Sequence, residues 1–261
     1  MAFTKDEAGG VTAAAPGRPS LPDAVIYFGH QSVGGNILDG IRDLVGAGPD
    51  AALPIEEISS HRPGKRPLLI HSWLGENRNP QSKIDAFVAL MESDFGAEPG
   101  IAFFKFCYVD FTASTDSDKL FSQYRSAMES LRSRRPGVTF VHVTVPLTTS
   151  LSFVDRGKNL VKWFLGRPLK SQLDNVRRAR FNELTRVAYG GRESLFLFDL
   201  ARLESTRLDG TREVFRDGGR EYEALVPAYT DDGGHLNEAG RKIVAEALLG
   251  FLARIPRGAA G

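Results

Sequence analysis

Short apolar runs alternate with longer amphipathic stretches along most of this chain, and that alternation limits the folds open to it. Apolar runs near 24–28, 54–58, 101–109, 138–145 and 194–199 read as strands. Between and after them, apolar residues at helical spacing predict helices near 33–46, 81–94, 117–134, 171–189 and 237–253. Strands joined through helices pair in parallel, because a parallel pair needs a long crossover. A parallel sheet is in turn covered by helices on both faces. The runs Ile101-Ala102-Phe103-Phe104 and Val138-Thr139-Phe140-Val141 suit central strands. The expected architecture is therefore an α/β fold with a parallel sheet covered on both faces, in which ligands bind at the carboxyl ends of the strands.

A chain of 261 residues, 42% hydrophobic and 25% charged, has the ordinary make-up of one enzyme-sized domain. It contains no internal repeat and no low-complexity linker, so a single domain over 23–255 is the simplest division. Residues 1–22 are small, polar and rich in Ala, Gly and Pro; they read as a flexible tail, as do residues 256–261. The first 22 residues hold no apolar run of the kind a signal peptide needs, and no membrane span is expected anywhere. The compartment stays open between the cytoplasm and an exported protein. Thirty-three basic residues against 32 acidic ones leave a net charge of +1, which argues against a nucleic-acid partner. Arg177-Arg178-Ala179-Arg180 reads as a solvated helix face. The one cysteine, Cys107, lies in an apolar run and reads as a small buried hydrophobe. His30, His61, His71 and His142 show no metal-site spacing, and no metal or other cofactor is expected.

The chemistry-bearing residues lie at the two ends of the chain. Asp231-Asp232-Gly233-Gly234-His235 precedes the last predicted helix. A carboxylate three residues before a histidine, with glycines between, can bend back onto one ring nitrogen. That leaves the other nitrogen as a base. Asp231 is a rival, but the D-x-x-H spacing favours Asp232. At the other end, Val25 to Phe28 is a strand-like run, Gly29 breaks it, and a helical pattern begins near Ser32. A helix N-terminus favours negative charge, and so suits an alkoxide or a tetrahedral oxyanion. Serine is also a favoured N-cap, so capping and nucleophilic roles both fit Ser32 taken alone.

With these residues in place, the chain resembles the SGNH/GDSL hydrolase family over about residues 24 to 253. Asp232-Gly233-Gly234-His235-Leu236-Asn237, followed by Gly240, is similar to the family's late block. Gly29-His30-Gln31-Ser32 is similar to the early G-D-S block, with one residue more and no aspartate. The resemblance implies a flavodoxin-like three-layer α/β/α sandwich with five parallel strands and a catalytic triad of Ser32, His235 and Asp232. It places the oxyanion hole on the backbone N–H groups of Ser32 and Gly75. The family's third donor is an asparagine in a G-x-N-D block. Here that block reads Cys107-Tyr108-Val109-Asp110, and Val109 cannot donate. Asn77 or a protonated Asp110 is the expected substitute.

The activity that follows is hydrolysis of small acyl esters through an acyl-enzyme, without a cofactor. O-acetyl groups on carbohydrate are the substrate class the family suggests. An acyltransferase with the same triad, or a glycan- or partner-binding module that has lost catalysis, stays open. Two long stretches complete the reading. Pro146 to Lys170, with Phe153, Lys158, Leu160, Val161, Lys162, Trp163 and Phe164, is either a substrate-contacting lid or a loop packing its own aromatics. Ala201 to Tyr229 reads as a polar surface excursion. Arg180-Phe181-Asn182 resembles a pattern that is mainly structural in the family. Oligomeric state is not legible.

Overall fold

The computed structural model describes residues 21–48, 50–61, 64, 66–150, 170–191 and 196–256. Its centre is a six-stranded sheet in which every pairing is parallel. The strands are β1 (Val25–His30), β2 (Ile55–Glu57), β3 (Leu68–Trp73), β4 (Ile101–Phe104), β5 (Thr139–Val143) and β6 (Leu197–Phe198). Their order across the sheet is β2-β3-β1-β4-β5-β6.

The sheet thus has six strands where the resemblance implied five. The run 54–58 is only a short edge strand. One of the two strands beside β1 is β3, which the apolar pattern did not announce, because Leu68-Leu69-Ile70 gives way at once to His71-Ser72-Trp73. The expected strand 101–109 also ends early, at Phe104. Beyond it, residues 108–110 form a 3₁₀ turn.

Helices cover both faces, as strands buried on both sides require. On one face lie α1 (Ser32–Val45) and α6 (Glu238–Leu252), with Val33, Ile37, Ile41, Val244 and Leu248 packed against Ile26 and Phe28 of β1. On the other lie α2 (Pro80–Glu92), α3 (Ser117–Arg134) and α4 (Lys170–Tyr189), where Phe87, Tyr124 and Phe181 pack against Tyr27 of β1 and Phe104 of β4. Alternate residues of one central strand therefore feed two separate cores.

The stretch from Ala201 to Tyr229 is more ordered than a surface excursion. A short helix α5 (Leu200–Glu204) leads into an antiparallel hairpin, β7 (Val214–Asp217) with β8 (Arg220–Glu223). Arg186 of α4 bridges Asp199 and Glu223 and ties the hairpin to the body. Of the other long stretch, Pro146 to Ser150 is described; Phe153, Lys158, Leu160, Val161, Lys162, Trp163 and Phe164 lie outside the described residues. So do residues 1–20 of the tail expected at 1–22 and residues 257–261 of the one expected at 256–261. Among the described residues, no helix is long and apolar enough to cross a membrane.

Candidate active site

Because β1 lies between β3 and β4, the loops that follow these three strands come together at their carboxyl ends. Ser32 follows β1, Gly75 follows β3, and the 108–110 turn follows β4. The loop that opens α6 brings His235 to the same edge.

Ser32 is the first residue of α1, and Gln31 holds the N-cap position. Gln31 does not cap the helix with its side chain. Its amide instead donates to the carbonyls of Leu74 (3.0 Å) and Gly75 (2.9 Å). The first-turn N–H groups thus stay without a side-chain partner, at the positive end of the helix dipole. Beneath them His30 is buried, and its Nδ1–H donates to the Gln31 carbonyl at 2.9 Å. Its Nε2 accepts from His71 Nδ1–H at 3.1 Å. Burial, and then the charge of Lys105, push the His30 imidazole down to about 4, which keeps the pair neutral.

The Ser32 hydroxyl donates to His235 Nε2 at 2.9 Å. His235 Nδ1–H donates to Asp232 Oδ2 at 2.5 Å. The other carboxylate oxygen, Oδ1, accepts from the N–H groups of His235 (2.8 Å) and Gly234 (2.9 Å). Burial alone would raise the Asp232 carboxyl, but these three hydrogen bonds outweigh it and hold the group at about 2. Asp231 points elsewhere and accepts from Asn237 Nδ2 at 3.2 Å. Residues 203 positions apart in the chain thus form one hydrogen-bonded row, with a tautomer that leaves Nε2 facing the serine.

Gly75 has φ +59, and a Cβ there would stand 2.7 Å from the Lys83 backbone nitrogen. Glycine is therefore required by both conformation and space. Its N–H has no acceptor among the described residues. The loop is held from below by Lys83, whose Nζ donates to Glu76 O (2.7 Å), Asn77 Oδ1 (3.4 Å) and Asp110 Oδ1 (2.8 Å).

Asp110 is where the expectation needs correcting. Its Oδ1 accepts from Lys83 Nζ and from Arg78 N–H (2.8 Å), and its Oδ2 from Cys107 N–H (2.7 Å). A buried carboxylate surrounded by three donors is an acceptor, so Asp110 does not supply the absent oxyanion donor. Asn77 is exposed, with its side-chain oxygen turned to Lys83.

Two residues that the sequence reading passed over reach this site. Tyr108 sets its ring edge-on to His235, centroids 5.6 Å apart, with its hydroxyl 3.5 Å from Nε2. Arg178, read as part of a solvated face, is buried instead. It donates to Tyr108 O (3.0 Å), Thr148 Oγ1 (2.8 Å) and Asn175 Oδ1 (2.5 Å). The signal for Arg178 was available, since Asn175, Arg178, Asn182 and Thr185 share the buried face of α4 with Phe181. Asn182 clamps Val145 on the same face, accepting from its N–H (2.7 Å) and donating to its carbonyl (3.0 Å).

A cavity of about 560 Å³ opens on the Asp232 side of this row, lined in part by Arg78, Tyr108, Val109, Thr148, Arg178 and Asp232. Among the described residues, no group of three His, Cys, Asp or Glu side chains is placed to hold a metal.

No protein-family model and no curated protein sequence matches the chain. Solved structures of distant sequence do. A member of the lipolytic protein G-D-S-L family from Veillonella parvula DSM 2008 is 14% identical, with a TM-score of 0.46, over 89% of this chain and 99% of that one. The C-terminal catalytic domain of Streptococcus pneumoniae peptidoglycan O-acetyltransferase A is 10% identical, with a TM-score of 0.38, over 87% and 91%. The periplasmic domain of a lipopolysaccharide acetyltransferase from Salmonella ser. Paratyphi A is 8% identical, with a TM-score of 0.42, over 89% and 84%.

Proposed function

We propose that this chain is a serine esterase of the SGNH type, acting on small acyl esters through an acyl-enzyme. One observation carries the reading: the row Ser32 Oγ, His235 Nε2, His235 Nδ1 and Asp232 Oδ2, with contacts of 2.9 and 2.5 Å. In the proposed reaction Ser32 Oγ bonds to the ester carbonyl carbon while its proton passes to His235 Nε2. The carbonyl electron pair moves onto oxygen, where the N–H groups of Ser32 and Gly75 receive it. When the tetrahedral centre collapses, the imidazolium returns its proton to the leaving alcohol, and Asp232 stabilises the charge meanwhile. Water activated by His235 then releases the acyl group. The side-chain amide of Asn77 is a further candidate donor at the rim.

O-acetylated carbohydrate is the proposed substrate class: the cavity wall is mainly apolar, but Arg78, Thr148, Asp174 and Arg178 on it offer hydrogen-bond partners to hydroxyl groups. Transfer to an acceptor alcohol shares every step up to the acyl-enzyme, so the same residues serve either outcome. The test is turnover of p-nitrophenyl acetate and of an acetylated oligosaccharide, with products analysed in the presence and absence of a free saccharide acceptor. Acetate release that depends on Ser32 supports the esterase. Acyl transfer dominating over release would assign a transferase. Saccharide binding without any turnover would leave a binding module.

A further inference from the structure

A tetrahedral centre on Ser32 needs donors around its oxygen, and the turn after β4 is one of the two loops flanking that serine. In this turn the Val109 side chain has no hydrogen-bond donor, and Asp110 is used as an acceptor. Tyr108 does reach the cavity. Its hydroxyl lies 3.5 Å from His235 Nε2, the nitrogen that Ser32 Oγ meets at 2.9 Å. At 3.5 Å the phenol is beyond a normal O–H···N bond, so its proton is not committed to the imidazole. Among the described residues the hydroxyl has no other partner.

The surroundings hold the ring in this pose. Arg178 Nε donates to the Tyr108 carbonyl at 3.0 Å, and its guanidinium carbon stands 5.8 Å from the ring centroid. The 233–235 loop also packs against the ring. A Cβ on Gly234 would come within 2.8 Å of Tyr108 Cζ. Burial pushes the phenol up to about 12, so the group is an O–H donor across the physiological range.

We propose that Tyr108 is a further catalytic residue, whose phenol O–H donates a hydrogen bond to the tetrahedral intermediate formed on Ser32. It takes the place that Val109 leaves without a donor. This rests on the esterase reading above. Tyr108 keeps its proton throughout: the serine proton goes to His235, and the phenol only hydrogen-bonds the oxygen that gains the electron pair. Asn77 is the rival; it is exposed, and its side-chain oxygen is turned to Lys83.

The test compares wild type, Tyr108→Phe, Tyr108→Ala and Asn77→Ala. It measures turnover of p-nitrophenyl acetate and the rate at which a fluorophosphonate labels Ser32. Tyr108→Phe keeps the ring against His235 and Arg178 and removes only the hydroxyl. The proposal expects Tyr108→Phe to lower kcat on the order of a hundredfold with KM little changed, and to slow labelling similarly. Thermal unfolding at the wild-type temperature establishes that this variant is folded. Should it not fold, 3,5-difluorotyrosine at position 108 reads the same role, through a rate that changes with phenol acidity. Full rates in Tyr108→Phe, with loss only in Tyr108→Ala, would reduce Tyr108 to packing and overturn the proposal. Loss in Asn77→Ala instead would assign the donor to Asn77. A wild type that is folded but neither labels nor turns over would overturn the esterase reading and this inference with it.

Discussion

Lys83 and Asp110 form a buried ion pair beneath the Gly75 loop, Nζ to Oδ1 2.8 Å, with side chains 1% and 0% exposed. The pair links the loop after β3 to the turn after β4, the two segments that flank Ser32. Removing one member leaves the other charge buried, which typically costs about 3–5 kcal/mol. Lys83→Met is therefore expected to lower unfolding stability by about that amount in urea titration, and to weaken turnover through the loosened 75–77 loop. A loss of only about 1 kcal/mol, the range of an exposed pair, would show that the pair does not anchor the loop.

Asp232 and Asp231 are neighbours with opposite assignments. Asp232→Asn removes the acceptor that selects the His235 tautomer, and kcat is expected to fall by about 10³–10⁴-fold. Asp231→Asn is expected to stay near wild type, since among the described residues the Asp231 side chain hydrogen-bonds Asn237 and not His235. The reverse ranking in steady-state kinetics would contradict the triad as drawn. The same carboxylate makes a pH prediction. Its folded value of about 2 lies below the ordinary 3.8, so its stabilising contribution is present above about pH 4. That contribution is lost as pH falls through about 2. Acid unfolding of Asp232→Asn should lack that component, and an unchanged acid profile would speak against it.

Gly234, the residue before His235, packs against the Tyr108 ring. In Gly234→Ala the new methyl collides with the Tyr108 ring, and either the ring or the histidine loop must shift. Displacement on the order of 1 Å at a reacting centre can cost about 10²-fold in rate. A fold retained by circular dichroism with a rate loss of that order is the expected result. Wild-type kcat would mean that the contact has no bearing on the site.

Glu204 is fully buried, with Oε2 accepting from Leu147 N–H at 2.6 Å and Oε1 without a partner among the described residues. Burial, only partly offset by the Leu147 hydrogen bond and by the charges of Lys105 and Arg178, raises its carboxyl from 4.5 to about 8. A raised folded value means the protonated form is the native one. Its contribution is complete below about pH 4.5 and is lost as pH rises through about 8. The wild-type melting temperature should therefore fall between pH 5 and pH 9 by more than that of Glu204→Gln. Parallel pH profiles for the two proteins would refute the assignment.

The layering of the fold was legible in the chain because buried parallel strands and amphipathic helices carry different apolar periods. The helix expected at 117–134 coincides with α3. β3 was not legible, since its second half is polar and only its neighbours bury it. The hairpin β7–β8 was hidden for a related reason. Its strands are held by Arg186, Glu223 and Phe215 rather than by an apolar run. At the site, Ser32, Asp232 and His235 were readable from local spacing. Tyr108 was not, because an aromatic at a strand end ordinarily belongs to the core, and only the three-dimensional approach of the 233–235 loop sets it against His235. Asp110 misled for the converse reason. Its side chain answers to Lys83, a partner 27 residues away that no local pattern connects to it.

The central claim is that Ser32 is a nucleophile activated by His235. The most direct measurement is intact-mass analysis after exposure to a fluorophosphonate, with peptide mapping of the adduct, on wild type and His235→Ala. The account predicts a single adduct on Ser32 in the wild type and none in His235→Ala under the same conditions. No adduct on folded wild-type protein, or equal labelling of the two, would contradict it.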